Sequence, residues 1–310
     1  MNITALKEFF TELNHQLAKA PNEVRRLFHG RGRKWTGLEQ LTADWLQGQL
    51  VVTLYKEVDT EYLEALTQGL VALVDSPLWQ EKAGQCVLLQ HRYTNGAPSQ
   101  VIVGELDTHP IVQENGLSYQ LTVGTNQNMG LFLDMRLGRE WVRDQAKQKN
   151  VLNLFAYTCG FSVAAISGGA DKVVNVDMAR GSLAKGRENH KLNGHNLNQV
   201  SFLGYDIFKS WRKITHSGPY DLIIIDPPSF QKGSFALTKD YQRILRRLPE
   251  LLAEHGQVLA CVNSPMVSCD FLIDGMKQEA PQLSFQYRLE NPPEFADIDH
   301  EASLKALVFS

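Results

Sequence analysis

The sequence predicts an α/β fold: a doubly wound, Rossmann-like sheet of seven strands, preceded by a small α+β domain. Three observations predict it. From about residue 150 onward, short apolar runs alternate with helical patterns, which implies βαβ units and a mostly parallel sheet covered on both faces. The last two strand-like runs, LSFQYRL and ASLKALVFS, have only a loop between them, so they add a terminal antiparallel pair. Before residue 130 the pattern differs, with strand–turn–strand units around Asn95-Gly96 and Asn115-Gly116.

The elements follow in chain order. Ile3, Leu6, Phe9, Phe10, Leu13 and Leu17 recur at helical spacing, predicting an amphipathic helix over 3–18. VRRLFHGRGRKW is the most basic stretch, and Gly30 and Gly32 predict that it is loop-like. QLVVTLYK alternates as a strand. VDTEYLEALTQGLVALVD places Tyr62, Leu63, Leu66, Leu70, Leu73 and Val74 on one helical face, with Asp59 or Thr60 as N-cap. The two hairpins complete an α+β unit of one helix and several antiparallel strands. MGLFLDMRLGREWVRDQAKQKN then leads into a helix. Strands are predicted at 151–155, 172–177, 200–204, 220–226 and 257–262, and helices at 161–168, 179–192, about 206–213 and 239–254. The expected division is 1–44 for the N-terminal helix and basic segment, 45–128 for the small domain, and 129–310 for the sheet domain.

Composition narrows the function classes. Hydrophobic residues make up 43% of the 310, ample for a packed core. With 31 Lys+Arg against 34 Asp+Glu, the net charge of -3 does not advertise nucleic acid, so any basic surface must be local. No apolar run is long enough to span a bilayer, and the first twenty residues have no cleavable apolar core, so no membrane partner and no leader are expected. The four cysteines form no CxxC pair, so neither a structural metal nor a disulfide framework is expected. A cytoplasmic setting is the expectation; the oligomeric state is not legible.

In a doubly wound sheet, ligands bind beyond the carboxyl ends of the strands. The first strand ends VLNLFAYTCG, where Phe155 stands in place of the first glycine of a GxGxxG turn. That disfavours a pyrophosphate, which needs a bare backbone, and with it a nicotinamide-dependent reductase. Gly160 permits close approach of a ligand, and free N–H groups at the helix start suit a carboxylate. The second strand ends in Asp177 and Met178: the carboxylate can accept from both hydroxyls of a ribose, and the methionine can pack on a base. Asp177 is equally an N-cap candidate for the next helix. Asp206, after the third strand, can accept from an adenine amine or cap a helix. The fourth strand ends IIDPPSF. Asp226 can accept a hydrogen bond from an amine, Pro227 and Pro228 fix the backbone and remove two N–H donors, and Phe230 can stack a flat substrate. A buried carboxylate without a task is costly.

LNLFAYTCGFSVAAISGGADKVVNVDMA, the following RENHKLNG and DLIIIDPPSF together resemble the bacterial class I S-adenosylmethionine-dependent methyltransferases that modify 23S ribosomal RNA. GLFLDMR is similar to the signature leading into their catalytic domain, and EASLKAL to their last strand. The similarity spans about residues 45–310. It is closest to the guanine-N7 half of the bifunctional enzyme, with the cytosine-C5 enzyme a near relative. The resemblance implies S-adenosylmethionine as cofactor and ribosomal RNA as partner. By position it implies that Phe132, Asp134 and Arg136 border the cofactor, that Tyr157, Thr158 and Gly160 hold its methionine part, and that Asp177 holds its ribose.

The sequence departs from the family in three places. Cys159 stands where those enzymes tend to have glycine. The residues before 45 do not match the PUA-type domain of the cytosine enzyme or the THUMP-bearing half of the bifunctional one. Cytosine-C5 transfer also needs a thiolate to add at C6, and here Asn263 replaces the cysteine after the fifth strand while Ser229 occupies the other common location. Cys261 is near but should point to the opposite face of the strand from Val262. A nitrogen acceptor is therefore favoured over cytosine-C5 chemistry. A non-catalytic RNA-binding relative is the remaining alternative. Two basic clusters are candidates to hold RNA: Arg25, Arg26, Arg31, Arg33 and Lys34, and Lys239, Arg243, Arg246 and Arg247 on the helix after DPPSF, with Tyr241 near its start.

Overall fold

The computed structural model describes residues 3–228, 230–231 and 235–310, with the side chains of 230, 231, 235 and 236 outside the description. The chain divides into two compact units. The first holds residues 1–133 and Pro292–Ile298; the second holds Asp134–Asn291 and Asp299–Ser310.

In the first unit, α1 (Leu6–Lys19) buries Leu6, Phe9, Leu13 and Leu17, one face at 3.6-residue spacing. It packs into the core of a five-stranded sheet, β1 (Arg25–His29), β2 (Leu41–Trp45), β3 (Gln49–Leu54), β4 (Cys86–His91) and β5 (Ser99–Gly104), which lie side by side in that order. Between β3 and β4 run α2 (Thr60–Val74), capped by Asp59 on the Tyr62 N–H at 2.8 Å, and the short α3 (Pro77–Glu81). Because α2 carries the chain across the sheet, β3 and β4 are parallel, not antiparallel as the sequence pattern suggested. The hairpin of β6 (Ile111–Glu114) and β7 (Leu117–Gln120) turns on Asn115 and Gly116, both at positive φ, as a two-residue primed turn requires.

Two expectations need correction here. The basic stretch is not a loop throughout: Arg25–His29 is a strand paired with β2. A boundary at residue 44 would also cut β2 and separate β1 from its own sheet. Alternation is weak in RRLFH because its charged side chains find partners inside the unit. Arg26 meets Asp44 through two bonds at 2.5 and 3.0 Å, and Arg25 reaches Glu23 and Glu294.

The second unit opens with α4 (Arg136–Gln145) and builds β8 (Asn150–Leu154), α5 (Gly160–Ser167), β9 (Lys172–Val176), α6 (Arg180–Leu192), β10 (Val200–Leu203), α7 (Trp211–His216) and β11 (Tyr220–Ile225). It continues through the two-residue strands β12 (Phe230–Gln231) and β13 (Phe235–Ala236), then α8 (Leu237–Leu245), α9 (Leu248–Leu251), β14 (Leu252–Val262), α10 (Asp270–Glu279), β15 (Phe285–Arg288) and β16 (Lys305–Phe309). The main sheet runs β10-β9-β8-β11-β14-β16-β15. Its pairs are parallel except those of β16, which is antiparallel to both neighbours. Strand order reverses between β8 and β11, where Leu154 pairs with Ile225.

The period-2 rule sorts the buried strand residues cleanly. Ile223, Ile225, Val258, Ala260 and Val262 enter one core layer, under Tyr241, Ile244 and Leu272. Leu222, Ile224, Leu259 and Cys261 enter the other, under Val142, Phe161 and Ala165. The helix expected over 239–254 is shorter. Pro249 lacks an N–H and restricts the residue before it, so α8 stops at Leu245 and β14 begins at Leu252. Arg246 and Arg247 therefore lie just past the helix rather than on its face.

Candidate active site

The strand-order reversal brings the ends of β8 and β11 side by side, and the candidate residues gather there. The loop after β8 is unusual in its backbone: Phe155, Tyr157 and Cys159 have φ of 58, 47 and 63°, the left-handed region that disfavours side chains. Cys159 sits at the position where glycine would be easiest. It is fully buried, and burial pushes its thiol pKa far up. The loop is held from behind by α6. At Gly186 an added Cβ would lie 2.3 Å from the Cys159 Sγ, so only glycine lets α6 approach this closely. One turn on, the buried Asn189 donates to the Thr158 carbonyl at 3.0 Å. Next to it, His190 Nε2 lies 2.9 Å from the Ser162 Oγ of α5. Asn189 was missed in the sequence; RENHKLNG carries it, but its direction is invisible without the loop it meets.

Asp177 follows β9. Its Oδ2 accepts from the Tyr157 N–H at 2.8 Å and its Oδ1 from the Ala179 N–H at 2.7 Å. The N-cap position of α6 is Ala179, and no side chain caps that helix. Asp177 thus joins the two loops, and each of its oxygens keeps a lone pair for a further donor. Met178 beside it is 52% exposed, free to meet a flat ligand. Asp206 takes the capping role the sequence allowed: Oδ1 accepts from the Phe208 N–H at 2.9 Å. Phe132, in the first unit, is exposed, whereas Arg136 opens α4 in the second.

Asp226 leaves β11 next to the buried Pro227 and the exposed Pro228. No hydrogen bond reaches its carboxylate among the described residues. Enclosure by protein, then the nearby Asp134 carboxylate, raise its pKa from 3.8 to about 7, against the opposing pull of Arg139. Some of its surface stays open, so a substrate donor can reach it. Asp134 is engaged by the Asn263 side-chain amide at 3.0 Å. Arg139, only 4% exposed, is the cation of this cluster, and sequence reasoning missed it because arginines on a helix are common. The stacking role expected of Phe230, like Ser229, lies outside the described residues.

Cys261 is fully buried in the layer opposite Val262, and burial, followed by Asp226 and Asp134, drives its pKa well up. A thiolate nucleophile is disfavoured there. Tyr241 is not at the mouth of the substrate loop as expected. It is buried, and its hydroxyl donates to the carbonyls of Ile225 at 3.3 Å and Cys261 at 3.0 Å, clamping the ends of β11 and β14.

The expected RNA-binding arginines have internal partners. Arg243 pairs with Asp240 and lies over Phe208, Arg246 makes two 2.8 Å bonds to Glu279, and Arg247 pairs with Glu250 and lies over Trp211. Arg33 pairs with Asp297 and Arg31 lies over Tyr55, whereas Lys34 is exposed. No helix among the described residues is long and apolar enough to cross a membrane.

Residues 25–310 match the family model of the S-adenosylmethionine-dependent methyltransferases. The chain belongs to that family. The family is S-adenosylmethionine-dependent, and the candidate site fits that donor: Asp177 has lone pairs to spare, Met178 is open, and the 155–160 loop is braced from behind. Among similar proteins, ribosomal RNA large subunit methyltransferase I of Aeromonas salmonicida is 33% identical over 230 residues, covering 72% of this chain and 57% of that protein. Ribosomal RNA large subunit methyltransferase K/L of Shewanella frigidimarina is 35% identical over 180 residues, 56% of this chain and 25% of that one. The chain thus spans well under two thirds of these curated relatives. The crystal structure of SMU.776 complexed with SAH has a TM-score of 0.86 at 24% identity, covering 100% of this chain and 82% of that one, a likeness of fold.

Proposed function

We propose that this methyltransferase acts on a base nitrogen of ribosomal RNA, of the guanine-N7 type. The observation that carries the nitrogen acceptor is the Asp226 carboxylate, which accepts no hydrogen bond among the described residues, beside a Cys261 thiol that is buried in the core. Cys261 faces away into the core, and Asn263 is turned to Asp134. The names of the relatives support ribosomal RNA as the acceptor.

When bound, S-adenosylmethionine supplies a methyl group on a sulfonium, ready for in-line displacement. The chain's residues do the rest. Asp177, Tyr157, Thr158 and Gly160 would hold the donor, with Met178 and Asp206 beside its nucleoside and Asp134 and Arg136 at its border. Pro227 and Pro228 hold the backbone that carries Asp226, and Phe230 is the candidate to stack the base. Guanine N7 carries a lone pair and no proton, so no base need remove one. Asp226 would instead accept from a ring or exocyclic N–H and so fix the base in line. Catalysis is then mostly orientation and electrostatics.

Mass spectrometry of ribosomal RNA nucleosides from a deletion strain tests the reading. A missing methylated purine, restored by the wild-type gene but not by Asp226→Ala, is expected. A missing 5-methylcytosine would overturn the nitrogen acceptor, and an unchanged nucleoside profile would overturn ribosomal RNA.

A further inference from the structure

A cavity of about 400 Å³ opens within the first unit, between α1, β1 and the Pro292–Ile298 segment. Its size is that of a small-ligand site. Nothing in the methyl-transfer chemistry uses it. Three features of its lining bear on what it would hold.

The first is uncommitted positive charge. Lys19, from the end of α1, and Lys34 both line the cavity, both are exposed, and neither has an ion-pair partner among the described residues. The second is an acidic component that is already engaged. Glu12 and Glu294 also line the cavity, but the Gln16 amide donates to Glu12 at 2.7 Å and the Arg25 guanidinium to Glu294 at 3.2 Å. The third is a flat wall. Trp35 lines the cavity, braced against Phe28 at 5.4 Å between ring centroids. His29 lies near it, held neutral: its pKa is lowered to about 3 by burial and by Arg26 and Arg31, and the Arg26 guanidinium donates to its Nδ1 at 2.9 Å.

Cations for a phosphodiester and an indole for a base are the parts of a nucleotide site. We propose that this cavity holds one nucleotide of single-stranded RNA, with its phosphate on Lys19 and Lys34 and its base against Trp35. The proposal rests on the reading of RNA as the acceptor. It also relocates the RNA contact. Lys34 is kept from the expected cluster and Lys19 joins it, while Arg25 is committed to Glu23 and Glu294 and Arg33 to Asp297.

The test uses the full chain and its Lys19→Ala/Lys34→Ala double variant, whose side chains are exposed and outside the core. Anisotropy of a labelled single-stranded oligoribonucleotide is read across a salt series, with S-adenosylmethionine affinity as control. Each phosphate contact on a single strand contributes about 0.7 to the slope of log affinity against log salt, so the double variant should lose about 1.4. Affinity at low salt should fall about tenfold, with cofactor affinity unchanged. A 4-thiouridine oligonucleotide should crosslink to peptides bearing residues 19–29 or Lys34-Trp35. Wild-type RNA binding with an unaltered slope in the variant, or crosslinks only outside these peptides, would overturn the cavity while leaving the RNA reading intact. A wild-type chain that binds no RNA would overturn both. Protection of the cavity peptides by a free mononucleotide but not by the oligonucleotide would overturn RNA as its ligand.

Discussion

Replacing Asp226 with asparagine removes one ionisation and little else. In the folded protein its pKa rises from 3.8 to about 7, chiefly through enclosure and then through Asp134. Between those values the folded chain holds a proton that the unfolded chain has released. The associated stability is fully present below about pH 4 and is lost as pH climbs through about 7. The rise spans about three decades of proton affinity, each about 1.4 kcal/mol, so a wholly shielded carboxyl would give about 4 kcal/mol. Asp226 keeps part of its surface open and water screens it, so about 2 kcal/mol is the working expectation. Urea unfolding of both proteins at a series of pH values reads it directly. Wild type should lose about 2 kcal/mol relative to Asp226→Asn between pH ~4 and ~8, because groups other than Asp226 and its close neighbours such as Asp134 titrate alike in the two. Parallel pH profiles would refute the enclosure of Asp226 and, with it, its place in a desolvated site. Methyl transfer gives a second reading. The ionised carboxylate accepts an N–H more strongly than the neutral acid, so wild-type activity should rise through about pH 7, while the amide, whose acceptor does not titrate, should show weaker activity without that rise.

Three more outcomes follow from the same geometry. Asp177→Ala should weaken S-adenosylmethionine binding by about 1–3 kcal/mol by calorimetry, the cost of leaving polar partners unpaired; unchanged affinity in a folded variant would remove Asp177 from the ribose site. Asn189→Ala removes the bond to the Thr158 carbonyl and should lower cofactor affinity by about 1 kcal/mol; a loss of melting temperature with intact affinity would make it purely structural. Cys261→Ser should keep its activity, and RNA carrying 5-fluorocytosine should form no covalent complex with either protein; a dead variant together with a trapped wild type would restore the cysteine mechanism.

The sheet of the second unit was legible because its strands are buried on both faces. LIII at 222–225 has no polar alternative, and the strand ends can be read off the polar residue that stops each run. The strand-end positions of Asp177 and Asp226 were read that way. The first unit was harder. RRLFH shows no alternation because Arg25 and Arg26 reach carboxylates on other segments, and β3–β4 pair in parallel only because α2 crosses between them. The braces of the site were the least visible. Asn189, Arg139 and Gly186 act through spatial neighbours far off in sequence, and each is an ordinary residue for its helix until that neighbour is known. The partners of the basic cluster around Arg243 were invisible for the opposite reason: composition records charge but not that Asp240, Glu250 and Glu279 lie against it.

The antiparallel β16 lies between β14 and β15, though both precede it in the chain. A nascent chain emerging from the ribosome would therefore carry β14 with one whole edge unpaired and apolar, and β15 with no neighbour at all, until Lys305–Phe309 appeared. Such an edge is an aggregation template while it waits. The first unit waits too, since Pro292–Ile298 supplies Glu294 to Arg25 and Asp297 to Arg33. Synthesis thus leaves both units unfinished for most of its duration, and a chaperone that shields open sheet edges should bind this polypeptide during translation and let go only after residue 309 has cleared the exit tunnel.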